Sequence, residues 1–193
     1  MSLAEPEQLA RSGDGYRSWW KKISGGIASE FPDGVFDIAD KLAAHFEVVM
    51  RPTGESPITL NHGDSRPGNL FFQNRNGTSE VVRIDWQGTS SSRGATELAY
   101  FVLFSIPVDQ RRLVEDSLLR LYLRVLTENG VRDYSYDRLT EDYRRGLFQC
   151  LFICVLALAN LDFDSEGGRA IIDEVMPRLA ALTDWDCGAL IPD

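Results

Sequence analysis

Lysine is nearly absent from this sequence: Lys21, Lys22 and Lys41 are the only three among 193 residues, and the formal net charge is −9. Proteins that grip a phosphate backbone draw affinity from clustered cations, so this balance argues against a nucleic-acid partner. The pairs Arg111-Arg112 and Arg144-Arg145 do not restore such a patch, because Glu115, Asp116, Glu141 and Asp142 surround them and the pattern reads as solvated helix faces. Histidine is scarce as well. His45 and His62 lie far from Cys150, Cys154 and Cys187, and no zinc-ligand spacing emerges. Three cysteines, two of them four apart in an apolar run, read as reduced core residues. No stretch approaches the roughly 20 apolar residues that span a bilayer, and the N-terminus has no basic region followed by an apolar one. The expectation is a soluble, cytoplasmic protein without a membrane partner; Met1-Ser2-Leu3 reads as an appended start.

A hydrophobic content of 44% is enough to build the core of one compact domain, expected over 1–193. Three zones separate by periodicity and turn residues. In residues 1–57, two helix-like pieces stand out, Tyr16 to Ile23 with Trp19-Trp20, and Phe36 to Met50 with Ile38, Leu42, Phe46 and Val49 at helical spacing. Asp33 is the expected cap of the second. In 58–93 the pattern changes to strands: Pro57 to Leu60, then Leu70-Phe71-Phe72 and Val81 to Ile84 joined by the turn-rich Asn74 to Ser79. From 94 to 193 it is helical, over roughly Ala95–Ser105, Val108–Glu128, Tyr136–Leu161 and Glu166–Leu182, the third so apolar that it should be the buried centre of a bundle. The expected fold class is α+β, mainly helical, with a short β-hairpin.

Chemistry concentrates in Asn61-His62-Gly63-Asp64-Ser65-Arg66-Pro67-Gly68-Asn69 and in Ile84-Asp85-Trp86-Gln87, with Asp85 sixteen residues after Asn69. Phosphoryl transfer from Mg-ATP needs a carboxylate to orient the acceptor hydroxyl and two further oxygen ligands for magnesium. An Asp with an Asn five positions on, followed by a second Asp after a hairpin, supplies them. Taken singly, Asp64 also suits a turn, Asn69 a cap and Asp85 a strand-end acid. Arg66 and Arg93 suit a phosphate or acidic group, though surface salt bridges are the commoner use. Trp19 and Trp20 point about 100° apart on a helix, so at most one faces any site and the other packs in the core.

His62-Gly63-Asp64 with Asn69 resembles the H-G-D-x-x-x-x-N catalytic loop of aminoglycoside phosphotransferases, choline kinases and the ecdysteroid-kinase-like group, which parallels the H-R-D-x-x-x-x-N loop of protein kinases. Ile84-Asp85-Trp86-Gln87 is similar to the segment that replaces D-F-G, in a form closest to the ecdysteroid-kinase-like and related bacterial members. Gly94 with Glu97-Leu98-Ala99-Tyr100-Phe101 resembles G-x-x-x-D-L-a-y-f, with Glu where the family usually has Asp. By motif the resemblance covers Ile58 to Ser105, and it continues more loosely through the C-terminal helices.

The resemblance implies a protein-kinase-like C-terminal lobe, with Asp64 as catalytic base, Asn69 and Asp85 as ligands of Mg²⁺, and His62 and Glu97 supporting the catalytic loop. It implies ATP as co-substrate and a small-molecule hydroxyl as acceptor; an acidic cleft would suit a cationic one, such as an amino sugar or a choline-like alcohol, but overall charge does not locate a cleft. Kinases of this type also use an N-terminal lobe with a phosphate-covering loop and a strand lysine. Residues 1–57 instead suit the helical insert before the catalytic loop, so a separate N-terminal lobe or self-association is expected. A binding module that has lost ATP use and a metal-dependent hydrolase built on Asp64 and Asp85 are the competing functions.

Overall fold

The computed structural model describes residues 5–75 and 77–192. Met1-Ser2-Leu3 and Asn76 of the hairpin turn lie outside the described residues. The chain runs through α1 (Pro6–Ile27), α2 (Val35–Met50), β1 (Thr59–Asn61), β2 (Leu70–Arg75), β3 (Thr78–Arg83), β4 (Ser90–Ser92), α3 (Gly94–Ser105), α4 (Val108–Glu128), α5 (Tyr136–Ala159), α6 (Glu166–Val175) and α7 (Ala181–Asp184). It is an α+β fold dominated by helices. Two antiparallel ladders carry the strands: β1 on β4, with Thr59 opposite Ser92, and β2 on β3, with Leu70 opposite Arg83 and Phe72 opposite Val81.

α5 is the expected central helix. Ser135 caps it by accepting the Arg138 N–H at 3.1 Å, and Leu147, Phe148, Leu151 and Val155 have no solvent exposure. Tyr16 of α1, Phe46 of α2 and Phe152 of α5 stack in one aromatic cluster that joins the first two helices to the bundle. Trp20 is buried and Trp19 packs on Phe152, so both indoles belong to this core. The three cysteines are free and buried.

Several expectations need correction. α1 begins ten residues before Tyr16 and runs through Gly13, because a Cβ at that position would meet the Glu47 carboxylate; the glycine marks a close helix contact and not a break. Asp33 is not the cap of α2: Gly34, at φ +76°, occupies that place and no side chain caps the helix. The last predicted helix breaks at Met176–Ala180, a 3-10 segment in which Pro177 lacks an N–H donor. The hairpin strands extend to Arg75 and Thr78, closed by a turn at Gly77 (φ +82°), and β4 escaped notice because its Ser-rich sequence has no apolar alternation. Among the described residues no helix is long and apolar enough to cross a membrane.

Two arginines read as surface groups are buried. Arg111 is 1% exposed and pairs with Glu115 and with Asp184 of α7, while Tyr143 donates to the same Glu115. Arg93 is 2% exposed: Nη1 donates to Asp142 at 3.0 Å, Nε to the Pro52 carbonyl at 2.6 Å and Nη2 to the Ser56 carbonyl at 3.1 Å. Each nitrogen of the buried Arg93 guanidinium has a partner, whereas the Nε of Arg111 has none among the described residues.

α3 and α5 cross at Gly146, where a Cβ would lie 2.7 Å from Ala99 Cβ and 2.9 Å from Thr96 Cα. Gly146→Val should therefore destabilise the protein, since overpacking costs about 1–3 kcal/mol against the ~0.5 kcal/mol gained by removing a helical glycine. Thermal unfolding should show a Tm lowered by several degrees, and an unchanged or raised Tm would mean that the crossing is looser than the geometry indicates.

Candidate active site

β1 delivers the chain into the loop 62–69. Gly63 sits at φ +84°, and a Cβ there would lie 1.9 Å from the Gly88 carbonyl oxygen, so both the backbone angle and the contact demand glycine. The imidazole of His62 bridges two segments. Because the Ile84 carbonyl can only accept, Nε2 carries the proton and donates to it at 2.7 Å, leaving Nδ1 to accept the Asp64 N–H at 3.3 Å. One neutral tautomer satisfies both contacts. The ring also packs on Trp86, with centroids 4.7 Å apart. From α3, Glu97 Oε2 accepts the Gly63 N–H at 3.0 Å, so the longer acid reaches the loop backbone despite its extra methylene.

Asp64 is held from three sides. Tyr100 donates to Oδ1 at 2.6 Å, Asn69 Nδ2 to Oδ2 at 2.8 Å, and Arg66 Nε approaches both oxygens at 3.1 and 3.2 Å. Burial pushes this carboxyl up, but the hydrogen bonds from Tyr100, Arg66 and Asn69 together outweigh it and hold the group below its ordinary 3.8. Burial and then the Asp64 carboxylate push the Tyr100 phenol up, so it stays a donor.

Asn69 spends its amide nitrogen on Asp64, on both the carboxylate and the carbonyl, while its Oδ1 accepts no hydrogen bond among the described residues. Its backbone carbonyl takes the Ile84 N–H at 3.1 Å, which fixes the residue beside Asp85. Asp85 adopts the left-handed conformation, φ 64° and ψ 59°, at a cost of about 1–2 kcal/mol for a residue with a Cβ. Its carboxylate is exposed and has only a 3.5 Å contact from Gln87. The amide oxygen of Asn69 and the carboxylate of Asp85 are therefore two uncommitted hard oxygen donors, the type that Mg²⁺ takes.

A family model described as the ecdysteroid kinase-like family matches residues 14–151, well over half of the chain. The chain belongs to that family. Its members are kinase-like small-molecule phosphotransferases, and the match takes in α1 from Asp14 onward, the loop, the hairpin and most of α5. No curated protein and no solved structure matches the chain.

The structure thus brings His62, Asp64, Arg66, Asn69 and Glu97 into one hydrogen-bonded assembly and ties Asp85 to it through Ile84. Tyr100 was missed as a site residue by sequence reasoning. Its position three residues after Glu97 on a helix, hence on the same face, was the available signal. Arg93, considered for a phosphate, is fully engaged in the core.

Asp64 binds its proton less readily folded than unfolded, so its contribution to stability is complete above the ordinary carboxylate range and is lost as pH falls through the lowered value. Asp64→Asn should have a lower Tm at pH 7 and a shallower decline than the wild type from roughly pH 4 downward. Parallel declines in thermal scans at pH 7 and at acid pH would show that the three donors do not favour the charged form.

Proposed function

We propose that the chain is the catalytic lobe of an ATP-dependent phosphotransferase that acts on a hydroxyl of a small molecule. The observation that carries this reading is the split at Asn69: its nitrogen orients the Asp64 carboxylate, while its oxygen stands open with that of Asp85. In this role Asp64 accepts the proton of the acceptor hydroxyl as its oxygen attacks the γ-phosphorus and the bond to the ADP oxygen breaks. Asn69 and Asp85 would hold Mg²⁺, which would supply charge stabilisation to the transferring phosphoryl group. Arg66, half exposed, turns from Asp64 to the transferred phosphoryl group, freeing a carboxylate oxygen for the acceptor. His62 and Glu97 keep the loop in register.

A pocket of about 210 Å³ beside Gly63 suits the acceptor. Phe46, Met50, Phe152 and Leu156 give it an apolar wall, Ser90 and Gln149 offer polar atoms, and no charged side chain lines it. Gln149 Oε1 is buried there without a hydrogen-bond partner. An uncharged acceptor with a donor group fits this pocket better than a cation. The described lysines all stand on α1 and α2, so none of them takes the place of a strand lysine. The competing reading, a kinase-like binding module without catalysis, draws on the three donors that already occupy Asp64 and lower its basicity.

Calorimetric titration with Mg-ATP should show weak, saturable binding that Asp85→Asn reduces by at least about tenfold. Asp64→Asn should keep the binding and lose transfer to acceptor alcohols by about a hundredfold or more once the covering lobe is supplied. Nucleotide binding untouched by Asp85→Asn would remove the proposed metal site, and binding without any transfer would favour the non-catalytic module.

A further inference from the structure

The three donors on the Asp64 carboxylate are not equivalent. Arg66 lies two residues on in the same loop, its side chain is 53% exposed, and its Nε is shared between the two oxygens at 3.1 and 3.2 Å. An exposed ion pair of this kind holds its partner weakly. Tyr100 and Asn69 each take one oxygen at shorter range, Tyr100 Oη donating to Oδ1 at 2.6 Å and Asn69 Nδ2 to Oδ2 at 2.8 Å. Neither has to be released for the charge of Arg66 to turn elsewhere.

Only Tyr100 is anchored outside the loop. It stands on α3 one turn after Glu97, half-buried, and its ring packs on Phe104 one turn further on, with centroids 4.6 Å apart. Glu97 Oε2 accepts the Gly63 N–H, so one helix grips the loop twice, at the backbone of residue 63 and at the carboxylate of residue 64. Asn69 belongs to the loop itself, and its amide also donates to the Asp64 carbonyl. One hydrogen bond fixes one oxygen and lets the carboxylate swing about it. Two donors, one on each oxygen and from separate elements, define its plane.

We infer that Tyr100 is a positioning residue for the transfer: with Asn69 it fixes the plane of the Asp64 carboxylate, so that Arg66 turns to the phosphoryl group without loss of that orientation. The use of the orientation rests on the phosphotransferase reading, whereas the orientation itself rests on the α3 contacts alone. Tyr100 carries no proton in the step. Burial and then the neighbouring carboxylate push its phenol up, and it stays a donor throughout.

Tyr100→Phe removes the hydroxyl and keeps the ring on Phe104. Scalar couplings of the Asp64 methylene, measured by NMR on the whole chain, report whether the side chain keeps one rotamer. Arg66→Ala should retain the single-rotamer pattern of the wild type, and Arg66→Ala with Tyr100→Phe should show averaged couplings, with the α3 amides unmoved in both. In the transfer assay used for Asp64→Asn, Tyr100→Phe should lower kcat at least about tenfold and leave the acceptor KM within about twofold, since a misdirected base weakens only the chemical step. Averaged couplings already in Arg66→Ala, or a single rotamer kept in the double variant, would overturn the anchor; an unchanged kcat in Tyr100→Phe beside an active wild type would overturn its part in transfer. A wild type that transfers nothing while the couplings follow the expected pattern would remove the phosphotransferase reading and leave Tyr100 as the anchor of Asp64.

Discussion

One buried cation sets the position of β1 and of the loop that follows it. The Arg93 side chain fills its donors with Asp142 of α5 and with the carbonyls of Pro52 and Ser56, while its own N–H goes to the Thr53 carbonyl and its carbonyl receives Asn61 and Thr96. The end of the α1–α2 region, β1, β4, the start of α3 and the middle of α5 all meet at this residue. Each nitrogen of its guanidinium has a partner, so these segments are held to one another through a single buried side chain. β1 alone, three residues with a single neighbouring strand, has little to hold it. The loop that begins at His62 inherits its placement from that junction.

Local patterns carried most of the helical architecture. α4 and α5 were readable because long amphipathic or apolar periodicity survives whatever the helices pack against. What failed depended on partners distant in sequence. The first helix reads as starting at Tyr16 because nothing nearby shows that Glu47 packs against Gly13, and Arg111 looks solvated because Asp184 lies 73 residues away. A charge run on a helix is a face toward water only if no other element supplies counter-charges.

The site was more legible than its support. His62, Asp64 and Asn69 lie on one short loop, where spacing alone constrains which atoms can meet, and Asn69 does reach Asp64. The left-handed turn at Asp85 leaves no trace in composition, since an aspartate in that conformation looks like any other. The second anchor of Asp64, Tyr100, arrives from a helix 36 residues on, and only the fold tells which helical face turns toward the loop. Glu97 shows the same limit in reverse: its identity departs from the family pattern, yet its reach to the Gly63 N–H fills the backbone contact.

The contact between Gly63 and Gly88 joins the loop that carries Asp64 to the segment that follows Asp85, backbone against backbone, with no side chain between them. Side chains absorb thermal displacement by changing rotamer, whereas two touching main chains have no such slack. A side chain at position 63 would therefore press on the Gly88 backbone and displace the loop of Asp64 and the segment after Asp85 together.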